Sequence, residues 1–250
     1  MEIICDTNIW YGLGSGRIDR SKIKENDILI ATYISIEELA LSDNVLYSFE
    51  KIKNAINAIC RLSKHTILEP PFIHLKVTSD KNYCCDLDSF RELFIFTEKI
   101  GMSYTIEEDK REDFKNSFTE KRKQLLIEDT DYINNYVQTN IILKTKEARK
   151  RHREEDSIPA NRELINYFVA RDTKSDGLSD DFDWKQIELF EKVMKLFLNE
   201  IETGAKVMDE NDWYDLFLLA YVNPQRKIWT KERKWKRLIK EAGFEDYLYE

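Results

Sequence analysis

The sequence predicts an open α/β fold with strand–helix units at both ends of the chain and a helical block between them. Three observations predict it. Ile3-Ile4-Cys5 and Ile28-Leu29-Ile30-Ala31-Thr32 are short apolar runs of strand length, and Lys227-Ile228-Trp229 is a third near the other terminus. Between them, apolar residues recur at helical spacing over long stretches. Only 7 Gly and 4 Pro among 250 residues leave room for long helices and few tight turns. Two N-terminal strands cannot close a stable sheet by themselves, so the two ends of the chain must pair in space.

Taken in order, residues 2–5 read as a buried strand running into Asp6-Thr7-Asn8. Glycines at 12, 14 and 16 follow, but without a Lys-Ser/Thr and a helix behind them this is not a phosphate-binding loop. After the second strand, Ser35-Ile36-Glu37-Glu38 has capping-box spacing, with Ser35 as N-cap and Glu38 three residues on. Phe49, Ile52, Ile56 and Ile59 mark a helix over about 46–62, which Glu69-Pro70-Pro71 ends. Residues 86–99 are expected to form another helix. A long polar helix is expected from about Glu108 to Lys150, with a narrow stripe of Phe114, Phe118, Leu125, Tyr132, Tyr136 and Ile141. Arg171 to Trp184 reads as an exposed acidic loop, and Ile187, Phe190, Val193, Met194, Phe197 and Ile201 mark an amphipathic helix. Asn211 or Asp212 caps an apolar, buried helix. Trp235, Leu238, Ile239 and Ala242 make the inner face of a last helix that stops at Gly243.

Composition narrows the function. A net charge of −8 argues against a protein that coats nucleic acid, although local basic patches matter more than the total. No run approaches the roughly 18 apolar residues of a membrane span, and the first residues have neither the basic nor the long apolar region of a secretion leader. Four cysteines without CxxC spacing and three scattered His argue against a zinc site and fit a reducing cytoplasm.

Acids stand at the ends of four separate elements: Asp6 after the first strand, Glu38 after the second, Asp212 and Asp215 at the start of the apolar helix, and Glu232 after the last strand. Open α/β folds build their sites at the carboxyl edge of the sheet. Carboxylates gathered there would repel and raise one another's pKa values unless a cation compensates them. Hard divalent cations take oxygen ligands, so Mg²⁺ or Mn²⁺ is the expected cofactor. The chemistry such a site performs is metal-assisted phosphodiester hydrolysis.

These residues give the chain a resemblance. It resembles the PIN-domain family, metal-dependent nucleases that include the VapC-type toxins. The resemblance rests on Asp6-Thr7-Asn8 after the first strand, Glu38-Leu39 after the second, Asp215-Leu216-Phe217-Leu218-Leu219-Ala220 on an apolar helix, and Thr230-Lys231-Glu232 after a strand. Asn211-Asp212-x-x-Asp215 is similar to a family variant with two acids on that helix. Glu232 departs from the family, which usually has Asp there. The resemblance implies a parallel sheet sandwiched by helices, with residues 1–45 and 205–250 as the nuclease core and 46–204 as a helical insertion packed on it. It implies Asp6 as the central metal ligand, Glu38, Asp215 and Glu232 as direct or water-mediated ligands, Asp212 beside them, and Asn8 and Thr230 as orienting residues. Compact toxins of the family usually have an inhibitor protein as partner, and a toxin or defence effector is the role this would imply.

Two basic runs flank the acids and are expected to contact phosphates. One is Lys144 to Arg153. The other brackets Glu232 with Lys231, Arg233, Lys234 and Arg237. Trp10, Tyr11 and Trp229 adjoin motif residues and are candidates for stacking on bases, with Trp229 expected in the core. Single-stranded RNA is the expected substrate, with DNA as the alternative. A PIN-like interaction module with a decayed site is the competing reading, with Glu232 as its symptom. An aspartate-nucleophile phosphatase fits poorly, because its second Asp is replaced here by Asn8.

Overall fold

The structure, a computed structural model, describes residues 1–85, 107–137, 158–202 and 206–250, together with Leu93, Ile95 and Lys99. The expected helix at 86–99, the stretch 138–150 of the long helix and the basic run Lys144–Arg153 lie wholly or almost wholly outside the described residues.

Four strands form one all-parallel sheet: β1 (Glu2–Cys5), β2 (Ile28–Thr32), β3 (Ser63–Ile67) and β4 (Arg226–Trp229), in the spatial order β3-β2-β1-β4. Ile4 pairs with Ile30 on one side and Ile228 on the other. The strand period of two sends alternate residues to opposite faces, and both faces are covered, so the buried stretches of β1, β2 and β4 are apolar at consecutive positions. Ile4, Ile30 and Ile228 pack into one hydrophobic cluster, while Ile3, Cys5, Leu29, Ala31 and Trp229 pack into a second on the opposite face. The sheet is therefore the middle of three layers.

The layer on the second face is built by α1 (Thr7–Gly14), α2 (Tyr33–Leu41), α3 (Asn44–Tyr47) and α4 (Phe49–Leu62), through Ile9, Trp10, Leu13, Leu39, Ile52, Ala55 and Ile56. The other face is covered by α5 (Pro71–Ser79), α6 (Arg111–Val137), α7 (Ile158–Thr173), α8 (Glu188–Glu202), α9 (Glu210–Leu218) and α10 (Arg233–Glu241). Phe72 of α5, Phe168 of α7 and Phe190 of α8 surround Phe217 of α9 at ring separations of 4.9, 6.0 and 5.7 Å. Among the described residues no helix is long and apolar enough to cross a membrane.

β3 and α4 lie beyond residue 45. β3 pairs in parallel with β2, and α4 packs on α1, so both belong to the sheet and its layer although they fall within 46–204. β3 reads Ser-Lys-His-Thr-Ile and is only partly buried, because an edge strand needs no apolar run; it carries no hydrophobic signal. The glycine segment also differs from expectation, because α1 runs through Gly12 and Gly14. A Cβ on Gly12 would lie 2.5 Å from the Ile18 side chain, and one on Gly14 would lie 2.3 Å from the backbone oxygen of Asn54. Gly12 therefore lets the Ile18 side chain fold back on α1, and Gly14 lets α1 and α4 touch backbone to backbone. Gly16 ends the segment at φ 72°, a left-handed conformation that glycine adopts freely.

Helix starts are also shifted. Thr32, the last residue of β2, caps α2 by accepting the Ser35 N–H. Ser35 lies inside the helix and donates to the Cys5 carbonyl at 3.0 Å, so Glu38 is not part of a capping box. At α9 the cap is Asp209 rather than Asn211 or Asp212, and Asp212 occupies the N3 position of a capping box.

Candidate functional site

The strand order reverses direction at β1, which has β2 on one side and the much later β4 on the other. Crevices in open α/β sheets form at such a switch point, beyond the carboxyl ends of the strands. Asp6 stands there, directly after β1, and its N–H donates to the Trp229 carbonyl of β4 at 3.0 Å. Its side chain is 3 % exposed. One carboxylate oxygen accepts from the Thr230 hydroxyl at 2.8 Å, and the other lies 3.4 Å from the Asn8 N–H as the cap of α1. Thr230 in turn accepts from the Glu232 N–H at 3.0 Å, and the Asn8 side-chain amide donates to the Glu232 carboxylate at 2.7 Å. The two motifs at opposite ends of the sequence are thus tied together by hydrogen bonds.

Glu38 from α2 and Asp215 from α9 join them, as the electrostatics show. Burial pushes the Asp6 carboxyl up to about 6, with Thr230 opposing the rise and the Glu232 charge adding to it. Burial raises Glu38 to about 7, reinforced by the charges of Asp6 and Glu232 and opposed by the Thr7 hydroxyl. Asp215 is raised to about 8 by burial and then by Asp6, with the Trp235 indole opposing and Glu38 and Glu232 adding to the rise. Asp6, Glu38, Asp215 and Glu232 therefore share one field, although up to 226 positions (Asp6 to Glu232) separate them in the chain. Among the described residues no Lys or Arg forms an ion pair with any of the four. Among the same residues no three His, Cys, Asp or Glu side chains stand in a ready metal-holding arrangement.

Asp212 departs from the expected ligand set. Its carboxylate accepts from Lys206 at 2.6 Å and from Lys234, and it reaches back to the Asp209 N–H at 3.4 Å. Two cations and a helix cap already satisfy it, so it joins α9 to α10 instead of adding charge to the acid cluster. Lys234 is committed to the same contact, with its ammonium 4.1 Å from the Phe197 ring centre and 4.4 Å from that of Trp235. Burial lowers this lysine to about 8 despite Asp212. Arg237 bridges Glu200 and Glu241. The expected phosphate contacts of Lys234 and Arg237 are therefore replaced by internal ion pairs, which a count of charges along a sequence does not reveal. Lys231 and Arg233 are exposed on either side of Glu232.

The aromatics divide as well. Trp10 and Trp229 are core residues, whereas Tyr11 is only partly buried. Tyr11 and Tyr214 wall a cleft of about 370 Å³ that opens beside Glu38 and is rimmed by Asp43, Glu210 and Lys123. Sequence reasoning assigned no role to Thr7 beside Glu38 or to Trp235 beside Asp215. Thr7 sits inside the Asp6-Thr7-Asn8 motif, which was the available signal; Trp235 read only as an inner-face residue.

The donor set suits a hard divalent cation. It consists of carboxylate oxygens alone, with Asp6 buried and Glu38, Asp215 and Glu232 half-buried at the sheet edge; burial raises the proton affinity of Asp6, Glu38 and Asp215, and neighbouring acid charges add to the rise. No protein-family model matches this chain, and neither a curated protein nor a solved structure is similar to it.

Proposed function

We propose that this chain is a metal-dependent nuclease of PIN type that hydrolyses phosphodiester bonds in single-stranded RNA. The observation that supports the reading is the hydrogen-bonded tie of Asp6 to Thr230 and Asn8, and of both to Glu232, at the carboxyl ends of parallel strands, where Glu38 and Asp215, raised chiefly by burial, also feel the Asp6 charge. Burying like charges together is costly unless a counter-charge belongs there. A protein whose acids only capped helices would have no reason to draw four of them to one crevice.

Asp6, Glu38, Asp215 and Glu232 are the residues that would hold Mg²⁺ or Mn²⁺. Such an ion, when bound, supplies an activated water and neutralises charge on the leaving oxygen. The chain's own residues do the positioning. Thr230 fixes the Asp6 carboxylate by donating to it, and the N–H of Asn8 holds its other oxygen. The Asn8 amide steers the longer Glu232 side chain into the cluster, which is how a Glu serves where the resemblance implies Asp. The Trp235 indole of α10 favours the charged form of Asp215 and opposes the rise that burial causes.

The reading is tested with the purified chain and a panel of single-stranded RNA, double-stranded RNA and single-stranded DNA. Cleavage of single-stranded RNA is expected with Mn²⁺ or Mg²⁺ and is expected to stop in EDTA. An identical background in metal and in EDTA on every substrate would replace this reading with that of a non-catalytic interaction module.

A further inference from the structure

A second groove, of about 400 Å³, adjoins the acids on the α1 side, and the nuclease reading does not use it. Asn8 and Tyr11 of α1 line it, with Arg17 beyond the helix, Asn44 of α3, and Lys51 and Asn54 of α4. Asn8 also holds Glu232, so the groove begins where the acid cluster ends. Tyr11 is the wall it shares with the cleft beside Glu38.

The two openings differ in charge. The cleft beside Glu38 is lined by Glu38, Asp43 and Glu210 against Lys123 alone. The α1–α4 groove is lined by Arg17 and Lys51 with no acid. A polyanion leaving the acid cluster is repelled from the first and attracted into the second. Arg17, Lys51 and Asn54 are exposed. The Arg17 Nε donates to Ser15 at 3.0 Å, which orients the guanidinium and leaves its terminal nitrogens for an anion. The Asn44 amide nitrogen is engaged by Tyr11 and Ser42, whereas no hydrogen bond engages the Asn54 side chain among the described residues. Gly14 fixes the spacing, since its missing Cβ lets α1 rest on the Asn54 backbone.

We propose that this groove is a nucleotide subsite for the strand leaving the scissile phosphate, in which Arg17 and Lys51 hold phosphates, Tyr11 stacks on a base and the Asn54 amide reads that base's edge. The proposal rests on the nuclease reading and extends it to base preference. A free amide offers a donor and an acceptor side by side, the pair that adenine N7 and N6 complement, so adenine is the base expected there. The volume falls in the range of about 300–1,000 Å³ usual for ligand pockets.

The test measures binding of labelled oligo(A), oligo(C) and oligo(U) ribonucleotides by anisotropy, in an Asp6→Asn background, across a salt series. Wild-type cleavage with Mn²⁺ is followed in parallel. Oligo(A) is expected to bind tightest. The double substitution Arg17→Ala with Lys51→Ala should weaken binding of all three alike, and flatten the log–log salt slope by about 1.4, from two phosphates at roughly 0.7 each on a single strand. Asn54→Ala should instead reduce the preference for oligo(A), by about tenfold, while changing the salt slope little. An unchanged salt slope in the double variant, or an unchanged preference in Asn54→Ala, overturns the subsite. If the wild type still cleaves, the nuclease reading survives that failure. If binding responds as expected but no metal-dependent cleavage occurs, the groove is an RNA-binding site, while its place beside a scissile phosphate and the nuclease reading are both overturned. Absence of both binding and cleavage overturns both.

Discussion

Asp6→Asn is expected to abolish metal-dependent cleavage while leaving the fold intact. Asp6 is the acid that both Glu38 and Asp215 feel most strongly among their charged neighbours, so it stands at the centre of the cluster. The substitution changes one oxygen to an amide of the same shape. Asn is as good a helix cap as Asp, so its single amide oxygen can keep the Asn8 N–H and the start of α1, while its NH2 faces the Thr230 hydroxyl as a donor instead of an acceptor. The charge is lost. Removing one preorganised charge-stabilising group from an active site commonly costs about 10²–10³ in rate, and loss of a central ligand should reach at least that. Asp215→Asn should behave alike. Glu232→Gln should cost less, because the glutamine oxygen can still accept from the Asn8 amide. Single-turnover cleavage of one RNA by the three variants checks the order. Equal rates for Asp6→Asn and wild type would remove Asp6 from catalysis.

The second large effect is on stability, and its sign follows from the same residues. The folded-state pKa values of Asp6, Glu38 and Asp215 are raised above their ordinary values, to about 6, 7 and 8. At these three groups the native state therefore binds more protons than the unfolded chain between about pH 4 and pH 8. Their contribution to the stability of the metal-free protein falls as pH rises through that window and carries no penalty below the unfolded pKa values, while buried His74, lowered to about 3, contributes in the opposite sense. For Asp6 alone, a rise of about two units corresponds to roughly 2–3 kcal/mol. At about 2–4 °C per kcal/mol for a chain of this size, that is several degrees. In EDTA, wild type should lose more melting temperature between pH 5 and pH 8 than Asp6→Asn does. Mn²⁺ at a hundred times its Kd should restore about 2.7 kcal/mol at pH 8 and far less at pH 5, where protons compete for the ligands. A wild-type melting temperature that rises from pH 5 to pH 8 in EDTA as steeply as that of the variant would contradict the shared field of these acids.

Much of this arrangement was legible before any coordinates. β1, β2 and β4 announce themselves by the consecutive apolar residues of their buried halves, Ile3-Ile4-Cys5, Leu29-Ile30-Ala31 and Ile228-Trp229, and the four acids announce themselves by following elements. What a single sequence withholds is partnership. Asp212 and Asp215 look equivalent on one helix, yet Lys206 and Lys234 neutralise the first, while among the described residues no cation pairs with the second. Lys234 and Arg237 look like a phosphate-binding face until Asp212, Glu200 and Glu241 are seen opposite them. β3 was hidden because an edge strand is free to be polar, and with it the fact that residues beyond 45 complete the sheet. α1 was hidden because its glycines serve close helix packing, a use that leaves no periodic signal. Thr7 and Trp235 act on the acids only across space.

The central claim is that Asp6, Glu38, Asp215 and Glu232 form a divalent-cation site, and calorimetric titration of Mn²⁺ into the purified chain tests it most directly. At pH 7.5, saturable binding with release of protons is expected, since raised carboxyls must deprotonate to act as ligands. The proton release, read as a dependence of the heat on buffer ionisation enthalpy, should shrink in Asp6→Asn together with the affinity. Binding that is absent from wild type, or that Asp6→Asn and Asp215→Asn leave unchanged, would contradict the account.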